Sequence, residues 1–455
     1  MSEERLSGAK LALFSLPAIP AAMLLMPVSF FLPAYFTTEL GLSLSAWAAI
    51  ILIARIWDIV TDPIAGVVCD RFPSRWGRRR HWLVIGVPVL MIACVLLLLP
   101  EYFISGMTVV YALLAMCLLQ LGQTVFGLNH QAWGAEISTL YHERSRIMGW
   151  RSAIGGIAPL FAFGIPMIVE RTTSDPSVAN TEKLRYLAYC VLVLLPVTTA
   201  IAVRYVPERP SQLVSKARVS MLESWKLLVS NSIMLRIIVI EIFAALPFSI
   251  AIALNVFYVS YVLEAPEMVS TLLVVIFLAT LISMPIWIRI SARFEKHKFL
   301  TFTYSVGAVF SATLVFLGPG DIVLFAILAS CMGVFTSAPS FLLRSIIADV
   351  VDSDTLATGE ERTGTFYALM EMTQKFVPAI AVPLVFPFLQ LMSFDPALGV
   401  DNTEEALAAL RYSFAIFPPI PMVIAAVLLY TFPMDRSKQE EVQREIQARH
   451  GADNQ

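Results

Sequence analysis

Residues 57–82 read WDIVTDPIAGVVCDRFPSRWGRRRHW. Two acids, Asp58 and Asp62, stand four residues apart in an apolar run. Five arginines, Arg71, Arg75, Arg78, Arg79 and Arg80, crowd into the stretch that follows. An apolar run of roughly 20 residues that opens onto a basic loop is the pattern of a helix leaving a bilayer on its positively charged side. The rest of the chain repeats that pattern.

Of the 455 residues, 58% are hydrophobic and only 15% are charged. A soluble chain carries about 25% charged residues. Mean hydropathy is +0.75. A net charge of −2 offers nucleic acid no attraction, so no nucleic-acid partner is expected. The cysteines (Cys69, Cys94, Cys117, Cys190, Cys331) lie in or beside apolar runs without a C-x-x-C pair. They read as small buried hydrophobes, not as disulfides or a zinc site.

Twelve apolar runs are long enough to span, at about 11–36, 44–69, 82–100, 106–132, 147–169, 184–205, 234–262, 268–290, 299–318, 322–347, 364–393 and 407–432. They are called spans 1 to 12 below. The first exceeds the roughly 7–15 apolar residues of a signal-peptide core, so it reads as a retained span. Basic residues cluster after spans 2, 4 and 8 and in the central segment, while the loops after spans 1, 3, 7 and 9 hold no Lys or Arg. The positive-inside rule then puts both termini in the cytoplasm. The loop after span 10 is a partial exception, rich in acids (Asp349, Asp352, Asp354, Glu360, Glu361).

The expected fold class is an all-α polytopic membrane protein of twelve transmembrane helices. Two six-helix bundles, 1–205 and 234–433, are joined by a cytoplasmic linker, 206–233, and followed by a cytoplasmic tail, 434–455. Within the linker, SKARVSMLESWKLLVS is amphipathic and suits a helix lying along the membrane surface or a plain tether. The two halves echo each other. Pro63, Arg71 and Phe72 match Pro285, Arg293 and Phe294 at a constant offset of 222 residues. Parallel six-helix halves around a central cavity are an architecture of secondary transporters. At the same offset Asp58 meets Thr280, Asp62 meets Met284 and Asp70 meets Ala292. The acids therefore serve something the shared scaffold does not need.

A charge at mid-membrane costs roughly 3 kcal/mol on the insertion scale. Two carboxylates about 5.5 Å apart repel by a further ~3 kcal/mol at an effective dielectric of 20. A shared proton, a bound cation or a basic partner offsets these costs. Arg55, on the same helical face, explains one carboxylate well and both poorly. A cation site of hard oxygen ligands explains both, with a hydroxyl or carbonyl oxygen from Thr61 beside them. Pro63 also leaves the carbonyl of Ile59 without its helical donor, a further possible ligand.

Other polar groups fall inside spans. Span 4 ends in QLGQTVFGLNHQAW, where Gln120, Thr124 and Gln131 share a stripe with Gly127. Trp133 is either a stacking platform for a sugar ring or aliphatic ligand, or an interfacial anchor. His130 is a packed polar residue or a proton relay. Arg151, near the start of span 5, snorkels to the interior surface or contacts a ligand. Span 7 carries Glu241. Glu371 and Lys375 in span 11 neutralise each other, or Lys375 meets the solute. In the loop after span 2, Asp70, Arg71 and Arg78 suit a gate whose ion pairs form in one conformation and break in another. Topology control alone explains the arginines but not Asp70.

The order D-x-x-x-D-P-x-x-G, then D-R, then S-R-W-G-R-R-R-x-W resembles the glycoside–pentoside–hexuronide:cation symporters of the major facilitator superfamily. The resemblance continues in AEIS and ERSR after span 4, and in ADVVD, TGEERTG and QKF near span 11. It implies the major facilitator fold and sodium- or proton-coupled solute uptake by alternating access. It implies cation ligands at Asp58 and Asp62 (the Na+ ligands if coupling is to sodium), with Thr61 at a position that is often a polar ligand. Trp133, Arg151 and Lys375 match the family's solute contacts. Two departures stand out. Span 1 has no acid where relatives bind sugar. Asn129 is the residue nearest to the span 4 aspartate that relatives share between sugar and cation.

The expectation is an inner-membrane symporter, multi-pass and monomeric, carrying a small solute, foremost a sugar or glycoside, with a monovalent cation. No cofactor is expected beyond the coupling ion, Na+ or H+. A lysolipid or other amphiphile transporter on the same scaffold is the first rival, and suits the acid-free span 1. A membrane-embedded enzyme would need a nucleophile–base pair or an H-E-x-x-H metal set, and the sequence has neither. A sensor would show no saturable flux.

Overall fold

The computed structural model describes residues 6–72, 74, 76–103, 109–138, 141–173, 176–208, 232–291, 293–358 and 363–433, with short tail pieces at 438–439, 441–442 and 444–445. Among the described residues helices are the only regular elements, apart from one isolated bridge between Ser74 and Gly77 in the loop after span 2. A chain this apolar must satisfy every backbone N–H and C=O within itself, and helices do so locally.

Twelve helical stretches are long and apolar enough to cross a membrane. They are Gly8–Phe30, Leu44–Cys69, Arg80–Leu98, Val109–Gly134, Arg146–Thr172, Asn180–Tyr205, Ser232–Val262, Pro266–Ser291, Lys296–Phe316, Ile322–Leu356, Met372–Asp401 and Glu404–Tyr430. These are the expected spans in the expected order. Several bend where the sequence breaks the helix. Span 5 interrupts between Gly155 and Ala158, span 10 at Ala338 before Pro339, and span 12 between Ala415 and Pro419. Span 10 differs from expectation at its end. The helix runs on through Asp349, Asp352 and Asp354 to Thr358, so these acids are not in a loop. Asp349 is buried there and takes the ammonium of Lys296 at 2.6 Å. That partner offsets the cost of burying it.

The chain divides into two compact units. One takes residues 1–214, 255–274 and 386–403; the other takes 215–254, 275–385 and 404–455. In the first, span 2 packs along span 4, and span 4 along span 3. Its largest buried side chains include Phe14, Phe36, Trp47, Phe126, Trp133 and Phe163. In the second, span 9 packs against spans 10 and 12 over a core that includes Ile237, Tyr304, Ile347, Phe366 and Met422. The amphipathic linker segment lies outside the described residues, as does most of the tail.

Span 2 shows how the sequence assigns its faces. Ile53, Ile56, Trp57, Val60, Ile64 and Val67 are exposed, while Ala54, Asp58, Thr61, Ala65 and Cys69 are buried. The two sets recur at the three-to-four spacing of an amphipathic helix. Here the exposed face is the apolar one, as a lipid solvent requires, and the acids lie on the protein side.

Candidate functional site

The site is built on two neighbouring helices of the first unit. Ser43 caps the span 2 helix, its hydroxyl accepting from the Ala46 N–H at 3.2 Å. The helix continues unbroken through Pro63 to Arg71. Asp58 is only 4% exposed and Asp62 is half-buried. Across from them on span 4 stands Thr124, itself buried. Its hydroxyl lies 3.1 Å from Asp58 Oδ1 and 2.6 Å from Asp62 Oδ1. The guanidinium of Arg55 reaches Asp58 Oδ2 at 3.5 Å. The Thr61 hydroxyl donates to the carbonyls of Trp57 and Asp58, at 2.9 and 3.3 Å. Its oxygen keeps acceptor capacity beside the two acids.

One threonine hydroxyl thus bridges two carboxylates with a single proton. Two carboxylates this close in a low-dielectric setting repel each other, and positive charge brought near them, as Arg55 brings it to Asp58, offsets that repulsion. Sequence reading placed Thr124 in a polar stripe but gave it no role, because the contact lies across helices and not along one.

The other expected residues fall elsewhere. Asn129 does not join the acids. Its amide donates to the Val125 carbonyl at 2.7 Å and to the Cys69 sulfur at 3.1 Å, and its oxygen faces Arg79 at 3.5 Å. Five residues past Thr124, it has turned to another part of the helix circumference. Trp133 is wholly buried, edge-on to Phe14 with ring centroids 5.3 Å apart, and the Arg80 guanidinium sits 5.5 Å from its ring. Its N–H donates to the Pro207 carbonyl at 3.4 Å. A stacking platform needs an open face, and this indole has none.

Arg151 donates its Nε–H to His130 Nδ1 at 3.4 Å, while His130 Nε2 meets the Phe14 carbonyl at 2.8 Å. With one nitrogen accepting, the imidazole is neutral and carries its proton on Nε2. Both nitrogens are occupied in holding spans 1, 4 and 5 together. Lys375, in the second unit, is exposed on the helix Thr363–Leu391. Nearby in sequence, Gln374 donates to buried Glu241 at 2.9 Å.

The span 2 helix, and not the loop expected for them, takes in Asp70 and Arg71. The Asp70 side chain lies outside the described part of the structure, and Arg71 is exposed. The backbone N–H groups of Arg78, Arg79 and Arg80 all point at the Glu208 carboxylate, at 2.7, 2.7 and 3.3 Å. Such consecutive amides at a helix start form an anion cradle. Gly77, at φ +117°, passes so close that an added Cβ would lie 2.0 Å from Glu208 Oε2. Arg79 forks onto Glu136 Oε1 at 3.0 and 2.8 Å. Arg80 also bonds the Val206 carbonyl. The acids that hold this basic loop are thus Glu136, from the AEIS stretch, and Glu208.

Known proteins agree with this architecture. A model of the family described as MFS/sugar transport protein matches residues 13–436. Among similar curated proteins, the putative glycoside/cation symporter YagG of Escherichia coli is 24% identical, over 91% of this chain and 90% of that one. The sodium-dependent lysophosphatidylcholine symporter 1 of Gallus gallus is 22% identical, over 98% of this chain and 90% of its own. Among solved structures, the xylose transporter XylE from E. coli, in an inward open conformation, superposes with TM-score 0.64 at 15% identity, over 96% of this chain and 98% of that one. The nucleoside transporter NupG does so with TM-score 0.65 at 13% identity, over 94% and 100%. At these identities the structures speak to the fold, which is that of the major facilitators. The chain belongs to the MFS/sugar transport protein family, a family of membrane transporters and not of enzymes.

Proposed function

We propose that the protein is a cation-coupled symporter whose coupling ion, Na+ or H+, binds between Asp58 and Asp62. The observation that carries this reading is the single Thr124 hydroxyl at hydrogen-bond distance from both carboxylates. Arg55 supplies one positive charge beside Asp58, and the proposed monovalent cation supplies another. Thr61 and Thr124 supply neutral oxygens for it. Ion binding drives transport only through different affinities in two conformations. A site shared by spans 2 and 4 is sensitive to any shift of one against the other.

The solute is a sugar or glycoside in the first reading, supported by the family description and by the name of the E. coli relative. The second reading is a lysolipid or similar amphiphile. Span 1 favours it, since Ala18–Phe30 carries neither acid nor base, and so does the name of the Gallus gallus relative. Arg151 and Lys375 are the proposed solute contacts, with Trp133 acting only after a rearrangement that opens its ring. Asp70, Arg71 and Arg78 are the proposed gate, and Asn129 adjusts the cation site from a distance through span 4. The two halves, 1–205 and 234–433, move about the 206–233 linker. The protein is proposed to be a monomer in the inner membrane with both termini cytoplasmic.

Proteoliposome uptake tests this. Glycosides and lysophosphatidylcholine are offered with a sodium gradient, a proton gradient or neither. Gradient-driven accumulation of one class, lost in Asp58→Asn and in Asp62→Asn, is the expected result. Accumulation that survives in both variants refutes the cation site.

A further inference from the structure

Spans 1 and 5 are each made of two pieces, and the pieces part at one place. In span 1 the helix Gly8–Ser15 ends before Leu16 and Pro17, and Ala18–Phe30 continues. In span 5 the helix Tyr141–Gly155 ends before Gly156 and Ile157, and Ala158–Thr172 continues. Pro17 and Pro20 lack the N–H groups that would bond the Leu13 and Leu16 carbonyls, and Pro159 lacks the one for Gly155. Tighter three-residue bonds stand in: Ile19 N–H to the Leu16 carbonyl, Ile157 N–H to Ile154 and Leu160 N–H to Ile157, each at 3.0–3.1 Å. The two breaks touch. An added Cβ at Gly155 would lie 3.4 Å from the Ala18 Cβ. In the other half of the sequence, the counterpart helices of spans 7 and 11, Ser232–Phe257 and Thr363–Leu391, run unbroken. The breaks are therefore not a requirement of the shared scaffold.

Each piece has its own partners. The first pieces, Gly8–Ser15 and Tyr141–Gly155, are tied to each other and to span 4. Arg146 donates to the Leu6 carbonyl at 2.7 Å, and Glu143 takes the Leu6 N–H at 3.1 Å. His130 of span 4 joins Phe14 to Arg151. Gly134 comes so close that an added Cβ would lie 2.8 Å from the Phe14 ring and 3.0 Å from Met148. Beyond the breaks, the second pieces pack on each other, with Phe163 edge-on to Phe30 at 4.9 Å. Span 4 reaches the second piece of span 1 through Gln123, whose amide donates to the Ala21 carbonyl at 3.1 Å. The pairs Gln123–Ala21 and His130–Phe14 set spans 1 and 4 antiparallel, which puts Gly127 opposite the break. An added Cβ there would meet nothing within 4 Å, so span 4 leaves room beside it.

Two hinges serve one moving body only when they share an axis, and abutting breaks do. Bending at a break costs little, because no continuous ladder of hydrogen bonds resists it. We propose that Ala18–Phe30 and Ala158–Thr172 swing as one body about the joint break, on a base formed by span 4 and the two first pieces. This is a motion inside one half of the protein, separate from any motion of the halves. It stands whether or not Asp58 and Asp62 bind a cation.

Distances between nitroxide pairs in lipid nanodiscs test this, with labels on genetically encoded ketone side chains that leave the native cysteines in place. The exposed positions Ser29 and Ile168, one on each second piece, are each paired with exposed Leu114 on span 4. Pro17→Ala combined with Pro20→Ala puts the best helix former where the breakers stood, so span 1 straightens without loss of fold. Both distances are expected to shift together by about 5 Å, the arc of a rod of roughly 15 Å turned through ~20°. Gln123→Leu, which removes the contact with Ala21, is expected to broaden both distance distributions together. Joint movement of the two pairs in either variant supports the shared hinge. A change confined to the Ser29 pair shows two separate kinks and overturns the proposal. So does the absence of change in both variants.

Discussion

Spans 2 and 8 share a proline, an arginine and a phenylalanine at matched positions, yet their mid-membrane polar groups do opposite things. In span 2, Asp58 and Asp62 converge on the Thr124 hydroxyl of the neighbouring helix. In span 8 the counterpart of Asp58 is Thr280, whose hydroxyl folds back onto the Ile276 carbonyl at 2.8 Å. Ser283, the counterpart of Thr61, donates to the Thr280 carbonyl at 2.7 Å and lies 3.1 Å from the Ser337 hydroxyl on span 10. Gly333 of span 10 comes so near that a Cβ there would sit 2.8 Å from the Thr280 hydroxyl. The span 8 cluster turns its hydroxyls back onto its own helix and onto span 10, while the span 2 cluster gathers two carboxylates around one hydroxyl. One scaffold thus yields a neutral helix joint in one half and an acidic cluster, the proposed cation site, in the other, and the difference is two carboxylates.

The largest effect that sharpens this contrast is expected from Asp58→Asn combined with Asp62→Asn. The shift in thermal midpoint on replacing choline with sodium or on lowering pH, measured on purified protein, should vanish, since a ligand stabilises only a state that binds it. A retained shift would break the comparison. Next comes Thr280→Asp, which writes the span 2 acid into span 8. With Gly333 packed close by, the added mid-membrane charge should cost up to about 3 kcal/mol of stability. Its thermal midpoint should fall without any new cation response. A stable variant with a second cation response would show that the halves are interchangeable. Thr124→Val removes the bridging hydroxyl and should weaken cation affinity about tenfold, while Thr124→Ser should restore it. Titration of the same midpoint shift gives both affinities. The smallest effect belongs to Ser283→Ala, which loses a hydrogen bond inside a helix joint. A stability loss of about 1 kcal/mol or less is expected, with cation response unchanged.

The parts that were legible in sequence are those written locally. Apolar runs give the twelve spans because a bilayer sets a minimum length. The spacing of Asp58 and Asp62 puts them on one face because a helix has one period. What escaped reading lies across helices. Thr124 looks no different from Gln120 until span 2 is set beside it. Asn129 and Trp133 sit in the right span, but their side chains go to Arg79, Arg80 and Phe14 at the end of the bundle. Glu170 and Gln390 lie 100 and 345 residues from Ser270 and Ser45, which they hold, and no local pattern announces either pair. Span 10 outran its apolar stretch because Lys296 meets Asp349, a pairing that hydropathy does not register.

Glu208 in its cradle of three amides has a practical consequence for anyone tagging this protein. A fluorescent reporter spliced between Tyr205 and Glu208 would drag that carboxylate out of its seat and expose the Gly77 turn. Placed after Glu208, the same reporter would leave the anchor undisturbed, which makes that glutamate the natural border for engineering the connection between the halves.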